Sequence, residues 1–89
     1  MRWNNVIKTK AGIHVYIDTA YTFDAGWETM VFECDENGMV SDWLDLDVKH
    51  YGCEEMAGLG HSGMVEKWEN LTAEEVSEFI NERDNLFAD

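Results

Sequence analysis

WETMVFECDENG, residues 27–38, is the stretch that decides the fold of this chain. Its first eight residues alternate between two faces, which is the period of a β-strand. The Asp35-Glu-Asn-Gly38 segment that follows is a strong turn signal, because Asn-Gly tolerates the positive φ values of tight hairpins. A further short strand is expected near Met39 to Trp43. The strand would carry Trp27, Thr29, Val31 and Glu33 on one face and Glu28, Met30, Phe32 and Cys34 on the other.

Two more strands are predicted on the N-terminal side of this stretch. The segments Val6 to Lys10 and Ile13 to Phe23 flank Ala11-Gly12, and apolar residues alternate with polar ones in the second segment, as in a half-buried strand. On the C-terminal side, the segment from Asp42 to Gly52 is acidic and mixed. It is predicted to be an irregular connection that carries a brief extended piece.

The period of the apolar residues changes to 3.6 from about Glu54, which predicts an amphipathic helix that ends at Asn70. Three glycines inside it would each cost about 1 kcal/mol relative to Ala, so something must hold this helix or it packs very closely. Thr72-Ala-Glu-Glu75 is a capping box that opens a second helix. The first helix has the stripe Met56 or Ala57, Gly60 or His61, Met64 or Val65, and Trp68; the second has Val76, Phe79, Ile80 and Arg83 or Phe87.

This order of elements predicts an α+β protein, a small antiparallel sheet of three or four strands with two C-terminal helices packed on it. The chain contains no proline, low-complexity linker or internal repeat, so residues 1–89 are expected to form a single domain. Trp27, Trp43 and Trp68 are expected to supply much of the core.

The charge of the chain is strongly negative and unevenly placed. Nineteen acidic residues against six basic ones give a net charge of −13. Residues 1–17 contain no acid, whereas residues 18–89 carry all 19 acids against three basic residues, a net of −16. Such a field repels nucleic acid and anionic membranes and steers the protein toward basic surfaces. The alternative is that the acids only keep the surface solvated.

The densest acidic runs are the candidate contacts for a basic protein partner, and no direct binding of nucleic acid or membrane is expected. The N-terminal residues MRWNNVIKTK contain no signal-peptide h-region, and no stretch approaches the roughly 18 apolar residues of a membrane span. A cytoplasmic location is therefore expected. The candidate partner-binding residues are Asp42, Asp45, Asp47, Glu74, Glu75, Glu78 and Glu82.

Cys34, His50, Cys53 and His61 fall within 28 residues and have the residue types of a Cys2His2 zinc site. Four protein ligands leave no open position, so the zinc would be structural. Regular helix between Cys53 and His61 would separate them by about 12 Å, so sharing one ion requires the chain to turn back first. Two alternatives stay open: buried free cysteines with a hydrogen-bonded core histidine, or a disulfide.

A catalytic role is disfavoured, because the chain contains no GxSxG, HExxH, Walker or GxGxxG motif. Asp42, Asp45 and Asp47 are candidate ligands for a hard cation such as Ca²⁺, but the EF-hand glycine and terminal glutamate do not follow them. They are interpreted as surface residues.

The strand WETMVF, residues 27–32, and the segment HYGCEEMAGLGHSGMVEKW, residues 50–68, resemble small proteins encoded by phages and prophages. In those proteins an ETMVF strand is followed by a helix with a GHxxMVExW pattern, and the match covers about half of this chain. Cys53 stands where that pattern prefers Thr, so the metal set need not be a family property. The resemblance implies a mobile-element protein with a strand-plus-helix fold in a bacterial host.

Some small acidic phage proteins inhibit host defence, and several such anti-CRISPR proteins bind Cas effectors on basic surfaces that nucleic acid would occupy. By that analogy the chain is expected to be an inhibitor of a Cas effector such as Cas9. The alternative is a zinc-stabilised structural or regulatory phage protein that contacts another protein through apolar residues.

Overall fold

The computed structural model describes residues 1–86. The strands β1 (Trp3–Lys8), β2 (His14–Thr22), β3 (Gly26–Cys34) and β4 (Asp47–Tyr51) precede the helices α1 (Glu54–Asn70) and α2 (Ala73–Asp84). The strands form one antiparallel sheet in the order β1-β2-β3-β4. The α+β prediction, with two C-terminal helices following a small antiparallel sheet, is confirmed.

The central hairpin of β2 and β3 sets the core face of the sheet. Ile17 pairs with Val31 and Thr19 pairs with Thr29, and all four side chains are fully buried. Side chains directly opposite each other in an antiparallel pair share a face, so these residues lie on the face that the helices cover. The alternation in residues 27–34 predicts that Thr29 and Val31 share a face, and the structure shows that this face is the one covered by the helices. Gly26 closes the hairpin with a φ of +72°, a conformation that favours glycine.

The fourth strand lies elsewhere than predicted. The turn at residues 35–38 forms, with a Gly38 φ of +84°, but the chain after it returns only as an isolated bridge between Cys34 and Val40. The Asp42 carboxylate accepts the Leu44 N–H at 2.9 Å, a local bond that competes with strand pairing. Pairing with β3 resumes in β4, inside the segment predicted to be an irregular connection.

The two helices pack on the core face through one buried stripe each. In α1 the buried residues are Ala57, His61, Met64 and Trp68, as its predicted stripe allows. In α2 they are Val76 and Arg83, and Phe79 packs against Trp68 with ring centroids 4.9 Å apart. Neither helix within residues 1–86 has both the length and the apolar run needed to cross a membrane.

The predicted role of Trp43 in the core is wrong. Its side chain is 70% exposed and packs edge-on against Phe32, with ring centroids 5.1 Å apart. Phe32 points to the sheet face opposite the helices, so Trp43 lies outside the core that Trp68 fills. Trp27 is partly buried, between Trp3 and Tyr21. Phe87, a candidate for the α2 stripe, lies outside the described residues.

Candidate functional site

A chain of polar side chains, buried at His61, Thr19 and Thr29, joins α1 to all four strands. His61 of α1 is only 4% exposed, and its Nδ1 lies 2.6 Å from Thr19 Oγ1 in β2. Its Nε2 lies 2.7 Å from Asn5 Oδ1 in β1. Thr19 contacts Thr29 of β3 through their hydroxyls, and Thr29 lies 3.0 Å from the Tyr51 hydroxyl of β4. Every member therefore has a hydrogen-bond partner.

The direction of these hydrogen bonds follows from the groups at their ends. Asn5 presents a carbonyl oxygen, so His61 Nε2–H donates to it. The Nδ1 atom of a neutral imidazole then accepts from Thr19. Thr19 in turn accepts from Thr29, and Thr29 accepts from the hydroxyl of Tyr51. The arrangement fixes one tautomer of His61.

Burial also keeps His61 uncharged. Desolvation lowers the pKa of its imidazole below the usual value, and the opposing effect of the nearby Asp18 carboxylate is smaller. Because both ring nitrogens already have partners, neither is free to act on a substrate or to ligate a metal. This is the hydrogen-bonded core histidine that the sequence left open as an alternative.

The structure does not bring the four candidate zinc ligands together. Cys34 ends β3, whereas His50 lies opposite Glu28, six residues away along that strand, a separation of about 20 Å. His50 Nε2 lies 3.0 Å from the Glu28 carboxylate, and Cys53 is an exposed residue preceding α1. Within residues 1–86 no group of three or more His, Cys, Asp or Glu residues is placed to hold a metal ion.

The predicted zinc site therefore does not fit this arrangement of side chains, and zinc binding stays a prediction. Both cysteines are free thiols, which also excludes the disulfide alternative in this structure. Burial, together with the neighbouring Asp35 and Glu33 carboxylates, raises the pKa of the Cys34 thiol. The thiol is consequently a poor nucleophile and a poor metal ligand at neutral pH.

The acidic run at residues 42–47 is partly used inside the fold. The Asp47 carboxylate accepts hydrogen bonds from Lys67 Nζ at 2.7 Å and Trp68 Nε1 at 3.1 Å. Asp42 caps the turn at Leu44 and lies 3.8 Å from Arg83. The carboxylates of Asp42 and Asp47 therefore already bind groups of their own chain, and their role as partner contacts stays a prediction. Asp45, the third acid of the run, is half-buried.

Arg83 is the buried cation of α2, and its guanidinium lies close to carboxylates from three parts of the chain. Its Nη1 lies 3.0 Å from Glu33 Oε1, without hydrogen-bond geometry, and its Nε donates to Asp84 at 3.0 Å. Burial alone would lower the pKa of Arg83, but Glu33 and Asp84 raise it above its usual value. Arg83 thus ties α2 to β3 and to the 42–47 connection.

The predicted contacts on α2 remain on the surface. Glu74, Glu78 and Glu82 recur every four residues, so they form one stripe along the helix, and all three are exposed. Glu75 is exposed too, but its carboxylate accepts the Thr72 N–H at 3.0 Å in the capping box. That hydrogen bond with the Thr72 backbone lowers the pKa of Glu75.

The stripe is part of a larger acidic region. Residues 54–84 contain nine acids and two basic residues, and both basic side chains are engaged, Lys67 with Asp47 and Arg83 as described. Apart from the capping residue Glu75, seven exposed glutamates of the two helices make no ion pair with any residue of the described part of the chain. We name this set the acidic helical surface: Glu54, Glu55, Glu66, Glu69, Glu74, Glu78 and Glu82.

Sequence reasoning missed a groove between β4 and α1, with a volume of about 640 Å³. Its helix side carries Met56, Leu59, Gly63 and Lys67, which share one face of α1. The helical period of α1 contained a signal for this groove, since the apolar residues Met56 and Leu59 extend the apolar stripe of the helix beyond its buried residues. The groove could not be located from sequence because only a brief extended piece was predicted somewhere within residues 42–52, without its place in the sheet.

Fold and site together define a two-layer α+β protein with a hydrogen-bonded chain of polar side chains around His61 and an acidic helical layer. Comparison with protein-family models, with curated proteins and with solved structures gives no match.

Proposed function

We propose that this protein binds a partner protein through its acidic helical surface and blocks a basic, nucleic-acid-binding region of that partner. The observation that carries the proposal is the placement of charge in the helical layer. The seven glutamates of the acidic helical surface make no ion pair within residues 1–86, while the two basic side chains of the layer are bound to acids of the same chain.

The rigidity of this surface supports recognition rather than mere solvation. Glu74, Glu78 and Glu82 are held on one helix, with about 6 Å of rise from each to the next, so their spacing does not depend on a mobile tail. The capping box of Thr72 and Glu75 fixes the start of that helix. A basic groove shaped for a phosphate backbone would meet carboxylates in place of phosphates, and the attraction would fall with added salt.

The class of partner comes from the resemblance to phage and prophage proteins. On that basis the partner is a Cas effector such as Cas9, and the protein is an anti-CRISPR inhibitor that acts in the bacterial cytoplasm. The proposed inhibition requires binding alone and no chemistry. The two hydrogen bonds of His61 and the raised pKa of Cys34 leave these two residues poorly suited to catalysis.

Co-purification tests the proposal. Tagged protein is mixed with Cas9 alone, with Cas9 bound to guide RNA, and with Cas9 bound to guide RNA and target DNA, all at low salt. The proposal predicts that Cas9 is retained and that bound nucleic acid reduces the retention. Failure to retain Cas9 and other Cas effectors in any of these states would count against it.

A second candidate function, apolar docking on another phage protein, is favoured by the sheet face opposite the helices. Trp43, which packs against Phe32 on that face, is 70% exposed, and tryptophan is enriched in the energetic centres of protein interfaces. Binding of this kind would be nearly independent of salt. Salt dependence therefore separates the two functions.

A further inference from the structure

The groove beside β4 has an open strand on one side and an apolar helix face on the other. β4 is the last strand of the sheet order, so the outer edge of residues 47–51 pairs with no strand of the described chain. Within this strand the backbone N–H of Val48 makes a local hydrogen bond, because it donates to the side-chain carboxylate of Asp47 at 3.0 Å. An exposed strand edge is a template for another extended segment.

The helix wall of the groove is unusually apolar for a free surface. Met56 is 54% exposed and Leu59 is 67% exposed, although both lie near the buried stripe of α1. Exposed apolar side chains that line a concavity mark interaction sites more often than scattered ones do.

The glycines of α1 provide an independent observation. A Cβ atom at Gly60 would clash with the Tyr51 ring, and one at Gly58 would lie 3.1 Å from Trp3, so close packing explains both. A Cβ at Gly63 would have no neighbour within 4 Å. Gly63 lines the groove and weakens the helix by about 1 kcal/mol relative to Ala without any packing reason inside the chain. The space next to Gly63 is therefore free for the backbone of another chain.

The charge of the groove argues for a particular occupant. Lys49 and Lys67 both line it, although the whole chain has only six Lys and Arg residues. Lys67 is paired with Asp47, while Lys49 makes no ion pair among residues 1–86 and lies 6.0 Å from the centre of the Tyr51 ring. A carboxylate would complement Lys49. A second copy of the chain is disfavoured, because two bodies of net charge −13 repel each other.

We infer that the groove binds an extended segment of a partner protein, which adds to β4 as a fifth strand. Its backbone pairs with residues 47–51, and alternate side chains enter the groove. Apolar side chains contact Met56 and Leu59, the segment passes close to Gly63, and an acidic side chain meets Lys49. This is β-augmentation, in which backbone hydrogen bonds give affinity and the pocket gives specificity. The inference does not rest on the acidic helical surface.

Peptide selection tests this inference with a defined probe, a displayed library of random eight-residue peptides. Enriched peptides should alternate apolar residues and contain Asp or Glu. Gly63→Leu fills the open space and should weaken their binding by about tenfold or more, whereas Ser62→Leu adds the same side chain at a position outside the groove and should not. Lys49→Glu should weaken binding by about two- to fivefold or more, and Lys10→Glu should not.

Amide hydrogen exchange shows where a selected peptide binds. The inference predicts that the amide hydrogens of residues 47–51 exchange more slowly when peptide is added. It also predicts that the variant Glu78→Gln binds the peptide as tightly as the wild type. Three results would overturn it: no enriched peptide, peptides that bind Gly63→Leu as tightly as the wild type, or protection confined to other strands. A dimer that pairs through β4, seen by light scattering and removed by Gly63→Leu, would also overturn it, because the occupant would then be a second copy.

Discussion

The Oγ1 atom of Thr19 lies 2.6 Å from Nδ1 of His61, at the centre of a hydrogen-bonded chain that joins α1 to all four strands. Both groups are buried, so each would be costly to leave without a partner. The bond therefore specifies how far α1 sits along the sheet. That placement in turn positions the groove beside β4.

Replacement of Thr19 by valine tests the contribution of this bond. Thr19→Val keeps the side-chain shape but removes the donor to His61 and the acceptor for Thr29. We expect the free energy of unfolding to fall by about 1–3 kcal/mol, because buried polar groups lose a partner. Urea denaturation followed by tryptophan fluorescence measures it. Ser62→Ala, at an exposed position of α1, should change stability by less than about 0.5 kcal/mol. Equal stabilities of the Thr19 variant and the wild type would refute this role.

The lowered pKa of His61 predicts a pH dependence of stability. Between that pKa and the unfolded value of about 6.5, the unfolded chain binds a proton that the folded chain does not. The stability that depends on neutral His61 is therefore fully present above about pH 6.5 and is lost as the pH falls through the lowered pKa.

Comparison with His61→Gln isolates this effect from the many carboxylates, which are common to both proteins. The wild type should be more stable than the variant at pH 7.5, and the difference should shrink at pH 5.5. Urea denaturation at several pH values measures the difference. A difference that is constant over this range would show that His61 does not titrate with unfolding.

The glycines of α1 predict opposite effects for the same substitution. Gly60→Ala should destabilise the protein by about 1–3 kcal/mol, because the new methyl group displaces the Tyr51 ring and its bond to Thr29. Gly63→Ala meets no neighbour and should stabilise it by up to about 1 kcal/mol. Thermal melts of the two variants check the signs. Destabilisation by both would mean that Gly63 also has a packing role within the chain.

Metal content tests the zinc hypothesis directly. In the described structure the four candidate ligands lie apart and both nitrogens of His61 have partners, so this arrangement predicts that EDTA leaves the melting temperature unchanged. Stoichiometric zinc, lost with stability on chelation, would instead support the zinc hypothesis. It would also require a different arrangement of residues 50–61.

Local patterns predicted most of the fold. The alternation in residues 27–34 separated the two faces of β3, and the Thr72 capping box marked the start of α2. For β4 the sequence predicted only a brief extended piece within residues 42–52. Its bounds and its pairing with β3 were missed because the sequence DVKHY is short and polar and the pairing depends on tertiary contacts. Trp43 was misplaced because an aromatic residue favours burial, whereas the path of its connection leaves it at the surface.

The site was less predictable because its partners are distant in sequence. His61 was recognised as either a ligand or a core histidine, but Thr19 and Asn5 lie 42 and 56 residues away from it. The threonines gave a usable signal, since Thr19 and Thr29 occupy buried-face positions where apolar residues are expected. The sequence singled out Glu74, Glu78 and Glu82 only as part of a dense acidic run, and only the structure showed that Asp42 and Asp47 are bound within the fold.

If the acidic helical surface binds a basic partner, as we propose, the rate of association with guide-free Cas9 should depend on the charge of that surface. Surface plasmon resonance would compare Glu78→Gln/Glu82→Gln with Asp24→Asn/Glu36→Gln, a pair with the same net charge but neutralised outside the helices. We predict that the wild-type rate falls about tenfold or more between about 0.01 M and 0.15 M salt, and that only the helical pair greatly slows association at low salt. No binding at low salt, a salt-independent rate, or equal effects of the two pairs would contradict the claim.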